Sequence, residues 1–183
     1  MARARTPPSA WVEQGLEALA AGGTDAVRVE LLAARLGVTK GGFYGYFTGR
    51  DHLLEAMLSA WETDVTDNVI AVVEAESAPR DRLRRLMQMV TDGGAATTRL
   101  ATEVAIREWS RREPRAAEVV ARVDERRTGY LRALFGEFCT PEDADERTAV
   151  AVSVRLASYF MSFGHPGRSH DDVVALVMRD LLR

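Results

Sequence analysis

The chain has a single cysteine, Cys139, and a single lysine, Lys40, in 183 residues. One thiol excludes an internal disulfide framework, so an apolar core must hold the fold, and the cytoplasm is the expected location. No apolar run approaches the 18 or so residues of a membrane span. The basic start, Met1 to Arg5, runs into Thr6-Pro7-Pro8 and not into an apolar signal core. No membrane partner is therefore expected. Period-two alternation persists nowhere, which argues against a sheet. Nucleophile motifs, phosphate loops and dinucleotide fingerprints are missing too, so no catalytic residue is assigned and the chain is not expected to be an enzyme. The histidines are His52, His165 and His170. The last two flank a Pro-Gly-Arg-Ser loop with no cysteine or carboxylate cluster at ligand spacing, so neither a metal nor another cofactor is expected. Cys139 falls at a helix C-terminus, where the dipole disfavours a thiolate, and reads as structural. A net charge of -3 excludes a protein that coats nucleic acid indiscriminately.

What remains is helical periodicity, punctuated by Gly and Pro. Val12, Leu16 and Leu19 mark one face of a helix over 11–21, stopped by Gly22-Gly23. Thr48-Gly49-Arg50-Asp51 has the form of a capping box. It opens a long helix carrying Leu53, Leu54, Met57, Leu58, Trp61, Val65, Val69 and Val73. Further helices are expected over 80–90, 97–112 and 114–138, then over 141–163 and 171–182. The fold class is all-α, with about nine helices.

The informative stretch is residues 28–47. Leu32, Ala33 and Leu36 share a face of a short helix from Val29, and Gly37 follows as a left-handed C-cap. A second short helix starts at Thr39, whose hydroxyl can cap it. Val38, Phe43 and Phe47 return its apolar side to the same core. Two helices crossing at a glycine-containing turn describe a helix-turn-helix. Its second helix puts N-terminal residues against base edges in the major groove; here these are Thr39, Lys40, Gly41 and Gly42. Two glycines in a first turn cost about 1 kcal/mol each in helix propensity, a cost that makes sense where backbone must lie close to a ligand. Tyr44 and Tyr46 offer hydroxyls to phosphates. Each residue alone has an ordinary reading as loop, half-buried tyrosine or solvated charge; the conjunction carries the inference. Arg3 and Arg5 are either a loose terminus or an arm toward DNA.

The run Leu32-Ala33, Gly37-Val38-Thr39-Lys40-Gly41, Phe43-Tyr44, Phe47 and Asp51-His52-Leu53-Leu54 resembles the DNA-binding signature of the TetR family of bacterial repressors. The resemblance implies a three-helix DNA-binding head over 1–50 and a helical ligand-binding and dimerisation body over 51–183. It places Thr39, Lys40, Gly41, Gly42, Tyr44 and Tyr46 at a double-stranded operator, with Arg50 on a phosphate. The sequence departs from the family at Arg28, where threonine is usual, at Tyr46, where histidine is common, and at Arg50, where lysine is common. Arg28 cannot cap as threonine does but could pair with a phosphate.

Within the body, Trp61, Met87, Met89, Trp109, Tyr130 and Phe160 are candidates to line a pocket for an unknown small-molecule effector, and equally candidates for plain core. Residues 149–163 carry one charge, Arg155, and 171–182 are also too apolar for one internal face. Together with the resemblance, this gives an expected homodimer through the helices over 141–163 and 171–182. The function so implied is a ligand-released repressor; the alternative is an all-α enzyme or helical interaction module in which the helix-turn-helix is only packing.

Overall fold

The structure is a computed structural model and describes residues 6–91, 95–161 and 166–181. The Arg3 to Arg5 arm, the Gly93-Gly94 break, His165 and the ends expected at Phe163 and Leu182 lie outside these. Among the described residues there are ten α-helices and one 3-10 turn, with no β-strand. They are α1 Pro8–Gly22, the turn Thr24–Ala26, α2 Val29–Arg35, α3 Lys40–Tyr44, α4 Arg50–Val65, α5 Asp67–Val73, α6 Pro79–Thr91, α7 Ala95–Ser110, α8 Pro114–Gly136, α9 Pro141–Phe160 and α10 His170–Leu181. The chain divides into two compact units, residues 1–64 with 98–121, and 65–97 with 122–183.

In the first unit, α1 buries Trp11, Gly15, Ala18 and Leu19, while Val12 and Leu16 are only half-buried. The buried stripe is thus rotated from the expected Val12, Leu16, Leu19 face, because Trp11 is the largest apolar group available. Gly15 is needed where it stands: a Cβ there would meet Met57 Sδ of α4 at 2.6 Å. The core of this unit is completed by Val27, Leu32, Ala33, Phe43, Phe47, Leu53, Met57 and Trp61. From α7 it takes Ile106 and the carboxylate of Glu103, which is buried beside Arg107 at 3.0 Å.

The helix expected to run unbroken from residue 50 to Val73 is interrupted. Thr66, buried, takes φ -121° and ψ -76° and separates α4 from α5. The Val65 carbonyl accepts from Arg127 Nε at 3.3 Å, and Asp67 pairs with Arg126. Tertiary bonds from α8 thus compete with continuation of the helix. α8 ends at Gly136, short of the expected Phe138, because the Phe138 and Cys139 amides both turn back onto the Phe135 carbonyl.

The second unit is built on Val73, Leu83, Met87, Leu131, Leu134, Phe135, Ala144, Ala151, Val174 and Met178. Cys139 packs against this cluster as a free, half-buried thiol. α9 opens as its sequence dictates, with Thr140 Oγ1 accepting the Asp143 amide at 3.2 Å and Pro141 in the first turn. Ser169 and Asp172 cap α10 reciprocally: the Ser169 amide donates to Asp172 Oδ2 at 2.9 Å, and the Asp172 amide to Ser169 Oγ at 3.1 Å. The Ser169 hydroxyl also donates to Asp172 Oδ2, at 2.7 Å, and this bond, followed by that of the Ser169 amide, holds the Asp172 carboxyl below its ordinary value. Val150, Phe160 and Met161 are exposed, Phe160 at 70%. Among the described residues no helix is long and apolar enough to cross a membrane.

Candidate nucleic-acid interface

α2 and α3 meet at a turn whose geometry the sequence dictates. Gly37 takes φ +65°. Its amide donates to the Ala34 carbonyl at 3.1 Å and the Val38 amide to Ala33 at 2.9 Å. This is the double bond pattern of a Schellman cap, which satisfies carbonyls that the helix end would orphan. The chain then extends through Thr39 and enters α3 at Lys40. Thr39 stands at the N-cap, but its hydroxyl makes no capping bond, contrary to expectation. Its backbone carbonyl takes the Gly42 amide instead, at 3.0 Å.

α3 is held by its aromatic side. Phe43 is fully buried, edge-on to Trp11 at 5.3 Å between centroids and stacked on Phe47 at 5.2 Å. The helical stretch is short and stops at Tyr44, with Gly45 as its cap. Tyr46 therefore lies just beyond the helix, half-buried, its amide on the Phe43 carbonyl. Tyr44 projects outward, 61% exposed, with its ring edge-on to Phe43. Thr39, Lys40 and Gly41 are exposed beside it.

The glycines have no internal reason to be glycines. A Cβ at Gly41 would have Thr39 Oγ1 as its nearest neighbour at 3.7 Å, and one at Gly42 would have Trp11 Cζ2 at 3.9 Å, both ordinary contacts. Neither has a positive φ. The head alone would accept alanine at both positions and gain helix propensity from it.

Two charged residues of this region have partners that the sequence did not show. Arg50, the first residue of α4, is half-buried and turned inward: its Nε donates to the Val27 carbonyl at 2.9 Å and its Nη2 to the Thr24 carbonyl. It fastens the start of α4 to the segment that leads into α2. Lys40 Nζ donates to Glu30 Oε1 of α2 at 2.6 Å, with both side chains about half exposed. Sequence reading missed Glu30, because the two residues lie ten apart and become neighbours only when the turn at Gly37 folds. Arg28, at the N-cap of α2, is exposed and caps nothing. The capping box expected at Thr48 is also replaced: the Thr48 amide donates to His52 Nδ1 at 3.3 Å. The His52 ring stands edge-on to Phe47.

The exposed side of the turn thus gathers Arg28, Glu30, Thr39, Lys40, Gly41 and Tyr44. The pocket candidates are distributed over both units. Met87 belongs to the core cluster of the second unit, with Met89 and Tyr130 packed against it; Trp61 and Trp109 belong to the first unit, and Phe160 is on the surface. Tyr130 donates its hydroxyl to Glu74 at 2.7 Å, and burial, with that bond, pushes its pKa up. Among the described residues no cluster of His, Cys, Asp or Glu could hold a metal ion.

Residues 12–57 match the family model of bacterial regulatory proteins, tetR family. No curated protein sequence matches the chain. Solved structures do. A transcriptional regulator from Saccharomonospora viridis, in complex with choline, superposes with a TM-score of 0.74 at 17% identity, over 95% of this chain and 92% of that one. A regulator of the TetR/AcrR family from Thermobifida fusca gives 0.64 at 21% identity, over 96% of each chain. The ketosteroid transcriptional regulator of Mycobacterium tuberculosis gives 0.67 at 16% identity, over 98% and 95%. At these identities the likeness is one of fold. Residues 12–57 thus match the tetR family of bacterial regulatory proteins, and the chain as a whole shares the fold of these solved transcriptional regulators.

Proposed function

We propose that this DNA-binding regulator is a repressor whose α3 enters the major groove of a palindromic operator, with residues 1–50 as the reading head and 51–183 as the ligand-binding and dimerisation body. The observation that carries the reading is the exposed start of α3. Lys40 and Tyr44 project from it, and two glycines there have space for a side chain that the sequence withholds. Backbone at Gly41 and Gly42 can then approach base edges, while Lys40, Tyr44, Tyr46 and Arg28 supply donors to phosphates. Thr39 is the hydroxyl nearest the bases. Arg50 serves this surface by setting the entry to α2.

Two copies of the head, about one helical turn apart, would read the two half-sites. The body would supply the dimer through the helices over 141–163 and 171–182, where Val150, Phe160 and Met161 present apolar surface. An effector bound in the body would favour a form whose heads no longer fit, and by linkage it must bind the DNA-free form better by the same factor. Met87, in the core cluster, and Met89 and Tyr130, packed against it, are the first candidates to border its site. A choline complex and a ketosteroid regulator among proteins of like fold support a small organic effector. The enzyme or interaction-module reading is not favoured, since both the family model and the fold are those of regulators.

The test is fluorescence anisotropy with Lys40→Ala, Tyr44→Phe and their combination. The double variant should melt like the parent and lose affinity for operator DNA by about 10- to 100-fold, the effect of one or two lost contacts of roughly 1–3 kcal/mol in total. Unchanged binding would remove α3 from the interface.

A further inference from the structure

Glu30 is the second residue of α2, with Arg28 just before that helix and Lys40 at the start of α3. The Lys40 ammonium donates to its Oε1 at 2.6 Å. That bond, with a weaker contribution from Arg28, holds the Glu30 carboxyl below the usual carboxylate range. A pair this exposed adds little to folding, and Phe43, Phe47 and Trp11 already fix α3. Its consequence falls on the face that Lys40 shares with Tyr44 and Gly41.

A DNA phosphate meeting Lys40 does not meet a free cation. It meets an ammonium already bonded to a carboxylate, and the pair presents no net charge to the duplex. A lysine is a compact charge on a flexible stem and can exchange acceptors. A carboxylate at this place therefore sets which acceptors can win it.

We propose that Glu30 is a positioning residue acting through Lys40: it retains the ammonium on DNA of arbitrary sequence and yields it only on the matching operator, so it suppresses non-specific binding. The inference rests on the DNA-binding reading above. Sequence-independent affinity is mainly phosphate neutralisation with counterion release, and each phosphate contact adds about 0.9 to the salt slope. Internal neutralisation of Lys40 removes one such contact from random DNA while leaving it available where base contacts fix the register.

The experiment measures binding of the full chain to a random-sequence duplex and to the DNA upstream of its own gene, across a salt series. It uses the parent, Glu30→Gln, Lys40→Ala and the double variant, with thermal melts to verify folding. Glu30→Gln should bind random duplex more tightly, with a slope steeper by about 0.9, and the ratio of specific to random affinity should fall. Lys40→Ala should lower the random-duplex slope by about 0.9 in the Glu30→Gln background and by clearly less in the parent. A folded Glu30→Gln with the parent's slope on random duplex, or a Lys40→Ala effect on the slope as large in the parent as in the Glu30→Gln background, would overturn the proposal while leaving DNA binding intact. Absence of any binding by the parent would instead bring down the DNA-binding reading and this inference with it. In the free protein, the Glu30 carboxyl followed by NMR should titrate higher in Lys40→Ala; an unmoved titration would also overturn it.

Discussion

At the scale of single residues, two kinds of glycine occur in the head, and the structure separates them. Gly15 is demanded from inside, since a Cβ there would stand 2.6 Å from Met57 Sδ. Gly41 is demanded by nothing inside, its nearest would-be neighbour lying at 3.7 Å. Gly41→Ala should accordingly leave the melting temperature unchanged or raise it, since alanine is favoured in a helix by up to about 1 kcal/mol, worth roughly 2–4 °C in a chain of this size. Operator affinity should fall at least about tenfold, the equivalent of about 1.4 kcal/mol. Parallel anisotropy and thermal melts check this, and equal operator affinity with a higher melting point would show that the Gly41 backbone does not approach the DNA.

At the scale of elements, the placement of α3 depends on contacts from three directions. The Schellman turn at Gly37 sets its start, Trp11 and Phe47 grip Phe43, and Arg50 ties α4 to the Val27 and Thr24 carbonyls. Arg50→Ala should cost about 1.5–3 kcal/mol, the range for hydrogen bonds made by a charged group, and should speed amide exchange in α2 while changing the salt slope of DNA binding little. A lower slope with unchanged stability would return Arg50 to the phosphate backbone. Much of this local architecture was legible in the sequence. Gly37, the Leu32 and Leu36 spacing and the Phe43, Phe47 pair act within a few residues of themselves, so their chemistry shows in a linear reading. The inward turn of Arg50, the ion pair of Glu30 with Lys40 and the break at Thr66 did not show, because each is settled by a partner brought in through tertiary folding. Thr39 is instructive in another way: residue type predicted a side-chain cap, and the backbone carbonyl took the bond instead.

At the scale of the whole molecule, the all-α class was legible because helical periodicity persists between glycine and proline breaks from α1 to α10. The pocket was not, because methionines and aromatics serve core and ligand alike, and Met87 and Trp61 are both buried. The proposed dimer makes its own prediction. Exposed Val150 and Phe160 both lie on α9, the helix proposed to carry the interface. The protein should sediment at twice the 20.2 kDa chain mass. Val150→Glu with Phe160→Asp should shift it to monomer and weaken operator binding by 10²-fold or more, since two tethered heads gain about that much from linkage. A variant that stays dimeric would move the interface away from α9.

The central claim is that the start of α3 reads double-stranded DNA. Its most direct test is fluorescence anisotropy of the purified protein on DNA from upstream of its own gene, against a scrambled duplex of equal length, across a salt series. The account predicts a preference of about 10³ or more for the native duplex, which is lost in the Lys40→Ala, Tyr44→Phe double variant. Failure to bind either that duplex or a random-sequence pool at low salt would contradict it.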